Sequence, residues 1–205
     1  MSIAVAARRI ERSFLFWLRH SSEARALARP APTLSTNLET RTVNTTNATR
    51  TLPADDLLYL DDLDVGRRFA SGWHAVDEAQ IKAFAAQFDP QPFHLDEAFA
   101  KGTFFGGLAA SGWHTAAITM RLLVDGGAPI AGGIVGAGGE IAWPKPTRPG
   151  DVLRVESEVL EVTPSRSRPD RGMVTIRSQT LNQRGEIVQM LTAKLVVPRR
   201  PAARA

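Results

Sequence analysis

Apolar residues recur along this chain with two different periods, and the change from one to the other divides it. In 78–88 the apolar positions Ile81, Phe84, Ala85 and Phe88 fall three and four apart, the spacing of one helical face. Asp77 stands just before that run and Gln80 three residues after it, a capping-box-like start. Asp89-Pro90 ends the helix, because the residue before a proline avoids the helical region. Pro90 and Pro92 hold the next segment extended, and Asp96 caps a short helix through Ala100. After Gly106-Gly107 comes the longest helical run, 112–124. Trp113, Ala116, Ala117, Met120 and Leu123 or Val124 share one face, and Ile118 and Leu122 lie on another. A helix apolar round most of its circumference is expected to be buried.

From Ala131 onward the period moves toward two. Candidate strands are 133–143, 152–162, 172–181 and 187–197, with an earlier one at 67–76. Pro144, Pro146, Pro149-Gly150 and the 166–171 run separate three of the late strands, and Asn182 to Gly185 makes a hairpin turn between the last two. Consecutive strands with short links imply antiparallel pairing. The pattern alone therefore predicts one α+β domain, a buried helix followed by an antiparallel sheet. Gly136, Gly138 and Gly139 suit a bent or bulged strand, since no strand–turn–helix frames them as a nucleotide loop.

Charge narrows the picture. The net charge is +4, but residues 1–50 carry eight Arg against three Glu, so the remainder is close to neutral. The basic balance belongs to the N-terminal segment and gives no reason to expect nucleic-acid binding by the folded part. We assign 1–55 to an Arg-rich extension, disordered or leader-like, 56–199 to the domain and 200–205 to a frayed tail. The chain has no cysteine, which excludes disulfides and a thiolate nucleophile and suits a reducing compartment. No apolar run is long enough to span a bilayer. A cytoplasmic protein is expected, with organellar targeting or a misassigned start left open by the extension.

The candidate chemistry lies in 84–120. Asp89 and His94 stand five residues apart with two prolines between them, and Ser111-Gly112 opens the long helix. An acid and an imidazole on a stiffened loop near a helix N-terminus suit acid–base work on a carbonyl compound. Taken singly these residues have plainer readings. Asp89 is a helix terminator, His94 an ordinary partly buried histidine and Ser111 an N-cap. Trp113 and Met120 read as core, Phe104 and Phe105 as packing or an acyl lining, and Lys145 and Arg148 as a solvated loop rather than contacts for a ligand's phosphates. Glu140 is left undecided between buried and surface positions.

The segment Phe84 to His94, the Phe105-Gly106-Gly107 turn, the Gly-opened helix and the run Trp143-Pro144-x-Pro146 to Gly150-Asp151 together resemble the MaoC-like hydratase/dehydratase family. The resemblance covers Tyr59 to Val197. It implies a hotdog fold, in which a curved antiparallel sheet wraps a long central helix. It also implies hydration or dehydration at the 2,3 double bond of an enoyl thioester, with acyl-CoA as partner and with no metal or other cofactor. Asp89 and His94 then fall on the catalytic pair, and Gly112 on the glycine whose N–H faces the thioester oxygen. Gln91, Phe105, Ser111 and Trp113 are the expected substrate contacts. The chain departs from the family pattern at Gln91, where Asn is usual, at Phe88, at Ser111, where His is frequent, and at Met120, where some hydratases have serine. Those departures keep two alternatives in view, a non-catalytic acyl-thioester-binding subunit and a hotdog thioesterase. A homodimer is expected, because a single hotdog leaves sheet edges uncovered.

Overall fold

The four late strands and the two principal helices appear in a computed structural model close to the predicted places. The structure describes residues 57–201; the N-terminal extension and residues 202–205 lie outside it. The helices are α1 (Glu78–Phe88), α2 (Pro92–Leu95), α3 (Glu97–Lys101) and α4 (Gly112–Leu122). The strands are β1 (Arg68–Ala70), β2 (His74–Ala75), β3 (Val135–Ala142), β4 (Val152–Pro164), β5 (Arg171–Leu181) and β6 (Ile187–Pro198).

The strands form one antiparallel sheet in the order β1-β4-β5-β6-β3, with β2 also pairing to β4. β4 and β5 alternate strictly between buried and half-buried positions over most of their length, as the period of two requires. Their inward residues Leu153, Val155, Val159, Val174 and Ile176 join Ile81 of α1 and Ile118 and Leu122 of α4 in the core. Asn182 Oδ1 accepts from the Arg184 and Glu186 N–H groups, and Gly185 supplies the positive φ of 73° that closes the β5–β6 hairpin. The sheet curves around the central helix in the hotdog arrangement. β3 is bulged between Gly136 and Gly138, which is where its glycines cluster. No described helix is long and apolar enough to cross a membrane.

Several details differ from the sequence reading. The segment after Pro92 is a short helix, because proline is pre-set for the first helical position and needs no N–H there. The early strand is two pieces, β1 and β2. α4 stops at Leu122 and continues as a wide turn through Gly127, with Gly126 at φ 142°. The buried face of α4 is His114, Thr115, Ile118, Thr119 and Leu122, so Trp113 and Met120 are not core: they are 62 % and 44 % exposed. Threonine hydroxyls carry that face into the domain. Thr119 meets Thr180 of β5 at 2.7 Å, and Thr115 donates to Thr147 at 2.9 Å. Paired this way, the buried hydroxyls avoid the cost of unmet polar groups and leave the more apolar face outward. Phe88, in the last turn of α1, is likewise exposed.

Candidate active site

Asp77 starts α1 by accepting the Gln80 N–H at 2.7 Å, and Asp89 ends it with φ −151° and ψ 67°, outside the helical region. The carboxylate of Asp89 is thereby aimed off the helix end toward α2, which carries His94. The His94 ring is buried, and its Nδ1 lies 2.7 Å from the Ala109 carbonyl. A carbonyl oxygen can only accept, so Nδ1 carries the proton and donates it. In the neutral ring Nε2 is then left with a free lone pair. That nitrogen lies 3.4 Å from Asp89 Oδ2. The other carboxylate oxygen, Oδ1, accepts the Gln91 amide at 2.7 Å. The Gln at the position where the family has Asn is therefore long enough to tether the acid. Burial resists ionisation of Asp89, but the Ser111 hydroxyl, the Gln91 amide and the His94 ring outweigh it and hold its pKa below the ordinary carboxylate value.

The third element is the start of α4. The Ser111 side chain accepts the Trp113 N–H at 3.2 Å, as an N-cap does. Among the described residues the Gly112 N–H has no protein acceptor and belongs to the positive end of the helix dipole. Asp89, Gln91, His94, Phe105, Ser111, Gly112 and Trp113 all border one cavity of about 440 Å³. The structure thus brings together every residue that the sequence nominated for the site. Phe104 also borders it and is 90 % exposed, so packing does not describe it.

Thr115 and Thr147 carry no readable signal, whereas the sequence singles out Trp143, Lys145 and Arg148 without these contacts. Thr115 and Thr147 line the cavity as a hydrogen-bonded pair. Trp143 forms part of the wall and packs edge-to-face on Trp113 at 5.4 Å. Arg148 is not a solvated side chain. Its guanidinium donates to the carbonyls of Gly107 at 2.7 Å, Leu108 at 3.1 Å and Phe105, stapling the loop that supplies Phe105 and Ala109. Lys145 borders the cavity and pairs with Glu186 at 2.7 Å. Asn182, Lys145 and Arg184 together hold the Glu186 carboxyl down to about 2. A second, mainly apolar cavity of about 360 Å³ lies between the exposed face of α4 and the sheet. Trp113 is common to both, and Met120, Ile134, Ile176 and Leu195 line the second. Glu140 is an exposed residue of β3 on its border.

The proteins that this chain resembles include the following three. The MaoC-like dehydratase of Rhodospirillum rubrum is 68 % identical, with a TM-score of 0.70 over 71 % of this chain and 99 % of its own. The R-hydratase PhaJ1 of Pseudomonas aeruginosa is 27 % identical, with a TM-score of 0.56 over 72 % of this chain and 92 % of its own. The 3-hydroxybutyryl-CoA dehydratase of Methylorubrum extorquens is 34 % identical over 57 % of this chain and 73 % of its own length. The model of the MaoC like domain matches residues 63–180, more than half of the sequence, and the chain belongs to that family.

Proposed function

We infer that this protein is a hydratase or dehydratase acting at the 2,3 double bond of an enoyl thioester, with acyl-CoA as the substrate class. The observation that carries this reading is the approach of Asp89 Oδ2 and His94 Nε2 to 3.4 Å beside the unpartnered Gly112 N–H. A carboxylate and an imidazole lone pair both need a donor between them, and water supplies two protons for that purpose. In hydration the water oxygen bonds to C3 of the enoyl group and one of its protons passes to His94 Nε2. The π electrons move toward the thioester, whose oxygen accepts the Gly112 N–H as its charge develops. His94 then returns the proton to C2, and Asp89 steadies the transient imidazolium. Dehydration runs the same path backward.

Two relatives support the substrate class, the R-hydratase and the 3-hydroxybutyryl-CoA dehydratase. The apolar second cavity offers room for the acyl chain. The exposed Trp113, Met120 and Val124 and the open edge of β3 form an apolar face that a second copy of the chain would cover. We therefore take the working form to be a homodimer.

Purified protein given crotonyl-CoA should lose enoyl absorbance. Asp89→Asn and His94→Ala should each lower the rate by about 100-fold or more. Unchanged rates in both variants overturn the reading. Release of free thiol instead of hydration marks a thioesterase. Tight acyl-CoA binding without turnover marks a binding subunit.

A further inference from the structure

Trp143 follows β3 and opens the proline-rich turn, and its indole lies flat on Gly112. A β-carbon added to Gly112 would stand 2.9 Å from the Trp143 Cε2, 3.0 Å from Cδ2 and 3.2 Å from Cζ2. Gly112 is not among the glycines with positive φ, so its own backbone does not demand glycine. The indole does. The same indole donates its N–H to Gln189 Oε1 at 2.9 Å. Gln189 is 1 % exposed on β6, and its amide nitrogen is buried with no acceptor among the described residues. A buried amide half unmet is a liability to the fold, so the contact at its other end is where a reason for it must lie.

We propose that Trp143, held by Gln189, is a positioning residue for the Gly112 amide. The ring fixes the Cα of the first residue of α4 and with it the direction in which that N–H enters the cavity. Gln189 touches no substrate and acts only through the indole. The kinetic consequence rests on the hydratase reading above; the packing consequence does not. A donor that must meet a developing oxyanion tolerates little displacement, so its loss shows in kcat and not in binding.

The test compares Gln189→Met, Trp143→Phe and the double variant on crotonyl-CoA, and follows the Gly112 backbone amide by NMR in labelled protein. Each single variant should lower kcat about 10-fold with KM within about twofold, and should displace the Gly112 resonance. The double variant should be no slower than Trp143→Phe alone. Losses that multiply, a change confined to KM or melting temperature, or an unmoved resonance overturn the proposal. If wild-type protein does not hydrate crotonyl-CoA, the functional reading falls, and the resonance in Gln189→Met still decides this one. Where Gln189→Met fails to fold, Gly112→Ala is compared in wild-type and Trp143→Leu backgrounds by thermal unfolding. A smaller cost beside leucine supports the proposal, and an equal cost overturns it.

Discussion

Asp89 is pulled two ways, by burial toward the neutral acid and by Ser111, Gln91 and His94 toward the carboxylate, and the partners win. Its pKa is depressed in the folded state. The stability this contributes is present above the unfolded carboxylate value and is lost as pH falls through the folded one. The acidic limb due to Asp89 should therefore lie below the ordinary carboxylate range in a pH–rate profile. His114 also loses stability as pH falls, but for a different reason. Burial lowers its pKa, with His74 adding to the effect and Asp77 opposing it, and its Nδ1 has no partner among the described residues. As pH drops through the unfolded value of 6.5, the unfolded chain takes up the proton first and the folded state loses ground. His114→Phe keeps an aromatic ring against Phe84, which now stacks on His114 at 4.7 Å, and should flatten the fall in melting temperature between about pH 7 and pH 5. That Asp89, His94 and Gly112 would border one cavity was legible from their short spacing and from the family resemblance. The Ala109 carbonyl that fixes the His94 tautomer was not, since a backbone group leaves no mark in a sequence.

At the scale of elements, legibility followed the strength of the local rule. α1 was readable because a cap, an apolar face and a proline stop agreed, and β4 and β5 because their alternation is strict. α4 was readable as a helix but not in its orientation. Its inward threonines are polar residues whose burial depends on partners 32 and 61 positions away, Thr147 and Thr180. This gives a sharp expectation. Thr119→Val should destabilise by about 1–3 kcal/mol by orphaning the Thr180 hydroxyl, whereas the double change with Thr180→Val should cost less than the two singles summed. Denaturant melts of the four proteins measure it. β3 yields a second. A β-carbon at Gly139 would stand 2.5 Å from the Thr192 carbonyl of the neighbouring strand. Gly139→Ala should therefore loosen β3 from β6, seen as faster amide exchange along that pair.

At the scale of the molecule, the edge of β3 and the outward face of α4 form the surface proposed above to pair with a second copy. Met120→Glu places a charge in that apolar face and should shift gel-filtration mass from dimer toward monomer at micromolar concentration; a wild-type monomer would refute the dimer outright. The two ends of the described segment are held together by other contacts. Arg200 lies over the Tyr59 ring at 4.6 Å and pairs with Asp62 at 2.7 Å, and Arg199 approaches Asp61 at 3.7 Å. Leu58 also bonds to Pro129 and Ala131 across a short parallel bridge. Entry and exit of the described segment are therefore neighbours. A circular permutant that links residue 201 to residue 57 and opens in the 166–170 turn should keep its fold, which would make this domain a ready insert for the loop of another protein.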